Sequence, residues 1–163
     1  MKRNLTILIV TLFITLSAKG ENFFFIGEHS YPCTDTFILK SDSDKFYIND
    51  LNVLFAKDEN TALIALSTKT VNVLIRGKLN IYLDDGTVMT LTDTEIFEYV
   101  NKVASAIYNL TNEDLDKIKN SNIYTIRYSL EDEYGDEGTF GGNFSASNKS
   151  KIDFSALVSK FFK

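Results

Sequence analysis

From Asn22 to Leu91 the apolar residues come in runs of strand length, each cut off by turn formers before a helical stripe could develop. Asn22 to Ile26 and Thr36 to Leu39 are rich in Phe and Ile and are bracketed by Gly27, Pro32 and the cluster Ser41-Asp42-Ser43-Asp44. Lys45 to Ile48 adds an expected short strand. Leu51 to Ala56 and Ala62 to Leu66 are continuously apolar and lie either side of Lys57-Asp58-Glu59-Asn60, the pattern of a buried hairpin with a four-residue loop. Thr70 to Arg76 carries Val71, Val73 and Ile75 on one face. Lys78 to Leu83 carries Leu79, Ile81 and Leu83 on one face, with Asn80 and Tyr82 opposite. Asp84-Asp85-Gly86 tolerates the positive φ of a tight turn, so Thr87 to Leu91 is the returning strand. Punctuation of this kind points to antiparallel sheet assembled from hairpins.

The second half mixes periods. Over Thr94 to Leu110, Ile96, Val100, Val103 and Ile107 fit a helical stripe, while Phe97, Tyr99, Val100, Val103, Ile107 and Tyr108 are better strand residues than helix formers. Two strands turning at Asn101-Lys102 are the preferred reading, and a helix is the alternative. Thr111-Asn112-Glu113-Asp114 resembles a capping box, and Leu115, Ile118, Lys117 and Lys119 complete a short amphipathic helix ended by Asn120-Ser121-Asn122. Ile123 to Leu130 reads as a strand with Tyr124, Ile126 and Tyr128 on one side, and Glu131 to Gly142 as an exposed acidic loop. Phe154, Leu157, Val158, Phe161 and Phe162 mark one face of a C-terminal helix. The expected fold is α+β and predominantly antiparallel β, with about eight to ten strands in hairpins, a short helix near 112–119 and a C-terminal helix near 152–162.

The opening residues carry a different signal. Lys2 and Arg3 precede the apolar stretch Leu5 to Leu16 and the small-residue exit Ser17-Ala18-Lys19-Gly20, the layout of a secretory signal peptide over residues 1–20. The stretch is shorter than the roughly 20 residues a membrane-spanning helix needs. Export is therefore expected, to the periplasm or beyond the cell, with residues 21–163 as a single globular β-rich domain and no membrane insertion after cleavage. Lys2, Arg3 and Lys19 fall in the leader and no acid does, so the 17 basic and 22 acidic residues become 14 and 22, a net charge of −8. That excess of acid argues against nucleic acid as a partner. Cys33 is the only cysteine, which rules out an intrachain disulfide.

Three groups of segments also look familiar: Phe25-Ile26-Gly27-Glu28-His29-Ser30-Tyr31-Pro32-Cys33-Thr34; Arg76-Gly77-Lys78-Leu79 through Leu83-Asp84-Asp85-Gly86-Thr87; and Tyr108-Asn109-Leu110-Thr111 through Ile123 and Ile126-Arg127-Tyr128. Over nearly all of residues 21–163 the chain resembles a group of small exported bacterial β-rich proteins. The resemblance implies a bacterial source and supports two strands over Thr94 to Leu110. It implies no activity and assigns no functional residue.

Four features could carry chemistry. His29 and Cys33 are the sole members of their kinds and lie four apart, and a histidine beside a thiol can make a nucleophile. Pro32 between them opposes a helical juxtaposition, and a buried thiol with an incidental histidine is the simpler reading. Glu131-Asp132-Glu133-Tyr134-Gly135-Asp136-Glu137-Gly138 offers carboxylates to Ca²⁺, but its spacing fits neither an EF-hand nor an RTX repeat, and a solvated loop is the simpler reading. Asp42/Asp44, Asp58/Glu59 and Asp84/Asp85 could pair as hydrolytic carboxylates, yet all sit where turns favour Asp. With 13 Phe, 8 Tyr and no Trp, the chain also has tyrosines to spare for a surface, and Tyr82, Tyr99, Tyr108, Tyr124 and Tyr128 are the candidates for an interaction face. No catalytic, cofactor-binding or metal-ligating set is assigned, and no cofactor is expected. The expected function is a non-catalytic exported binding or interaction module with a protein or glycan partner; the alternative is a small secreted hydrolase built on scattered carboxylates or the Cys/His pair.

Overall fold

The computed structural model describes residues 22–132 and 140–163. In chain order the elements are β1 (Asn22–Ile26), β2 (His29–Cys33), β3 (Phe37–Ser41), β4 (Leu51–Asp58), β5 (Thr61–Lys69), β6 (Val73–Leu83), β7 (Val88–Leu91), β8 (Asp93–Val100), β9 (Val103–Leu110), α1 (Asn112–Asn120), β10 (Ile123–Asp132), β11 (Gly142–Ser147) and α2 (Phe154–Phe161). Every strand pairing is antiparallel. The sheet runs β7-β6-β10-β11-β3-β4-β5-β9-β8 and rolls into a nearly closed barrel. The fold is thus β-dominant α+β with one helix mid-chain and one at the C-terminal end, as the sequence suggests.

Two half-sheets make the barrel. One comprises β3, β4, β5, β9 and β8, the other β7, β6, β10 and β11. They join along two lines. On one side β3 and β11 share only the pairs Ala146↔Ser41 and Ser147↔Lys40. On the other, β6 meets β8 through side chains: the Asp93 carboxylate accepts from the Gly77 amide (2.9 Å) and from Arg76 Nε (3.0 Å). Nearby, the Tyr99 hydroxyl accepts from the Asn72 amide (2.9 Å) and donates to the Thr70 carbonyl (3.3 Å).

Alternation sorts the side chains between inside and outside. Val53, Phe55, Ile64, Leu66, Ile75, Leu79, Ile81, Ala106 and Tyr108 point into the barrel. The intervening residues of β4, β5 and β9, namely Leu54, Ala56, Leu63, Ala65 and Ile107, are buried too, because the β1–β2 hairpin folds over that outer face with Ile26, Tyr31 and Cys33. This second small core explains the continuous apolar runs in β4 and β5, which are covered on both faces. One mouth of the barrel is stoppered by α2: the Phe154 ring meets Phe37 and Phe55 edge-on at 5.8 and 6.1 Å. Two asparagines lash that helix down. Asn122 donates to the Ile152 carbonyl and accepts from the Phe154 amide, and Asn148 donates to the Ile123 and Ile152 carbonyls and accepts from the Ile152 amide.

Residues 94–110 form two strands, the preferred reading, turning at Asn101 and Lys102, both at positive φ. The structure revises several other local expectations. The β4–β5 loop is two residues, not four; Asp58 still pairs with Thr61, and Glu59 takes the positive φ. Lys45 to Ile48 is a turn rather than a strand, closed by the Ile48 amide on the Lys45 carbonyl, and its Tyr47 and Ile48 are spent on the core. The expected strands Thr70 to Arg76 and Lys78 to Leu83 merge into one, β6, which begins only at Val73 and which Gly77 kinks at φ +75°. Gly142 to Ser147, which carries only Phe144 and Ala146 as inward residues, is a further strand that the polar composition conceals. The leader, residues 1–20, and residues 133–139 of the acidic segment lie outside the described residues.

Candidate functional site

The register of β10 against β6 slips at its start. Ile123 faces Leu83 and Thr125 faces Tyr82, so Tyr124 has no partner across the ladder. An extra residue in one strand bends it and re-aims its side chains. The simple alternation that would put Tyr124, Ile126 and Tyr128 on one side is therefore broken: Ile126 and Tyr128 point inward at 0 % exposure, and Tyr124 points outward at 60 %. Beyond the bulge Arg127 also faces out, between Asn80 on β6 and Ser145 on β11.

Tyr82, Tyr124, Thr125, Arg127 and Ser145 together line a shallow depression of about 260 Å³ on the outer face of β6, β10 and β11. The chemistry gathered there is specific in kind. Two phenol rings offer apolar faces with polar tips, one guanidinium offers a planar fork of donors, and the Thr125 and Ser145 hydroxyls donate or accept. Thr125 and the neighbouring Ser147 share a hydrogen bond at 3.1 Å, which anchors that part of the rim. Arg127 forms no ion pair among the described residues.

Three of the five candidate tyrosines do not belong to this face. Tyr108 and Tyr128 are buried completely inside the barrel and offer no surface to a partner. The Tyr108 phenol oxygen has no hydrogen-bond partner among the described residues, and burial pushes both phenols up, Tyr128 to about 12. Tyr99 is half-buried at the β6–β8 line, where its hydroxyl serves the backbone of Thr70 and Asn72. Tyr82 and Tyr124 remain. Arg127, Thr125 and Ser145 escaped the sequence reading; Arg127 between Ile126 and Tyr128 was the one available signal, and the bulge that brings the others beside it has no signature in composition.

The other chemistry-bearing residues are kept apart or occupied. His29 and Cys33 lie on one extended strand, roughly 13 Å apart at about 3.3 Å per residue. His29 is exposed and stacks on Tyr31 at 6.3 Å, whereas Cys33 is buried, and burial followed by the nearby Asp35 pushes its thiol up. Asp42 accepts from Ser147 and pairs with Lys149 at 3.0 Å. Asp85 accepts from the Thr87 amide within its own turn at 2.9 Å. Among the described residues no three His, Cys, Asp or Glu side chains group as a metal site, and no helix is long and apolar enough to cross a membrane. Comparison with family models, with curated proteins and with solved structures finds no match.

Proposed function

We propose that this chain is an exported, non-catalytic binding module that engages a glycan or protein partner through the outer face of β6, β10 and β11. The observation that carries the reading is the bulge at Tyr124, which sets an exposed phenol beside Tyr82 and the outward-facing Arg127 around one depression. Aromatic and Arg side chains are the groups most often found to dominate binding energy, and a tyrosine contributes rigid area at little conformational cost. His29 and Cys33 are held apart on one strand, Asp42 is engaged by Ser147 and Lys149, and Asp85 is tied into its own turn.

Cross-linking capture of the exported protein from its native fraction, beside a glycan array, tests the reading. Tyr124→Ala or Arg127→Ala is expected to weaken capture by about 2 kcal/mol, roughly thirtyfold in Kd, and to leave the melting temperature unchanged. Capture indifferent to both substitutions would sink the assignment.

A further inference from the structure

A second depression, of about 300 Å³, opens where the β4–β5 turn, α1 and the C-terminal residues converge. Its wall runs against the charge of the chain. The protein is acidic, at −5 overall, yet Lys57, Lys119 and Lys163 all border this space and Glu59 is the one side-chain carboxylate there. None of the three lysines is paired with a carboxylate among the described residues, whereas Lys40, Arg76, Lys117 and Lys149 are. Lys57 is held in place without being neutralised: its ammonium sits 4.6 Å from the centre of the Phe161 ring and 5.5 Å from that of Phe162.

The remaining surface narrows the ligand. Asn112, Leu115 and Lys119 follow one face of α1, and Leu115 and Phe162 give the space an apolar side. The Asn60 and Asn112 amides lie on its border, with donors and acceptors suited to hydroxyl groups. A volume near 300 Å³ is at the small end for ligand sites. Glu59 disfavours a compact dianion but can accept from a hydroxyl.

We infer that this depression binds a small carboxylate-bearing polyol of the hexuronate kind. Lys57 and Lys119 meet the carboxylate, and Asn60, Asn112 and Glu59 meet the hydroxyls. The site is separate from the Tyr124 face and does not depend on it.

Titration of the isotopically labelled exported protein with glucuronate, glucose and inorganic phosphate, followed by amide NMR, tests the inference. Glucuronate should give saturable shifts around residues 57–61 and 112–119, with glucose weaker by about tenfold or more. Lys57→Gln and Lys119→Gln should each weaken glucuronate by about tenfold, raise its Kd towards that of glucose, and leave the spectrum of the unliganded fold unchanged elsewhere. Equal affinity for glucose and glucuronate, no saturable response to glucuronate, or no effect of either lysine substitution would overturn the site. Tighter binding of phosphate than of glucuronate would overturn the polyol assignment.

Discussion

The Asp93 carboxylate sits where β8 passes β6, and three donors converge on it: the Gly77 and Glu95 amides and Arg76 Nε. Arg76 is steadied from its other side by the Phe97 ring, 4.1 Å from the guanidinium carbon. Burial acts to raise the Asp93 carboxyl, but the two amides and the guanidinium outweigh it and hold it below the ordinary carboxylate value. A carboxyl depressed by folding stabilises the protein fully above its unfolded value of about 3.9, and that stability is lost as pH falls through the lower folded value. Asp93→Asn is therefore expected to cost about 1–3 kcal/mol near neutral pH, because the charge opposite Arg76 is lost and the amide NH₂ must face at least one of the three donors. The deficit should shrink as acid protonates the native carboxyl. Urea melts of both proteins between neutral pH and pH 3 check this, and a pH-independent difference would refute it. Nothing around Asp93 in sequence marks it for this role, since its partners Arg76 and Gly77 lie 17 and 16 residues away. Thr111 is the opposite case. Its hydroxyl accepts from the Asp114 amide while the Asp114 carboxylate accepts from the Thr111 amide, an arrangement confined to four consecutive residues and legible for that reason.

Among the elements, α2 has the clearest energetic role. Phe154 and Val158 are fully buried, Leu157, Phe161 and Phe162 pack against the same core, and the Asn122 and Asn148 amides satisfy the backbone leading into the helix. Deleting residues 152–163 should destabilise the protein by several kcal/mol, given about 1.5–3 kcal/mol for each large apolar side chain fully buried. A thermal melt decides the matter: an unchanged midpoint would mean that the helix adds nothing to the core. The stripe of α2 and the Asp-Gly turn before β7 were readable because helical and hairpin periods are local properties of the chain. The bulge in β10 and the whole of β11 were not. A register slip leaves each residue's identity unchanged while reversing its side, so Tyr124 and Tyr128 look alike in sequence and end on opposite faces.

At the scale of the molecule, the barrel is two half-sheets meeting along two thin lines, and the lines differ in how much chain they span. The β6–β8 contacts link residues 16 to 29 positions apart. The β3–β11 line rests on two residue pairs, the Asp42 amide donating to the Ser145 carbonyl, the hydrogen bond from Ser147 to the Asp42 side chain across 105 positions, and the ion pair between Asp42 and Lys149. Closing so long a loop costs entropy before any contact compensates for it. Asp42→Ala should consequently speed unfolding with little change in the folding rate, as expected of contacts made after the transition state. Stopped-flow chevrons measure this, and a slowed folding arm with an unchanged unfolding arm would contradict it. The short β3–β11 ladder then acquires a meaning in time as well as in space: the widest pairing inside either half-sheet, Val73 with Asp132, spans 59 positions, and the tube exists only once margins 105 positions apart, at Ser41 and Ala146, have found each other.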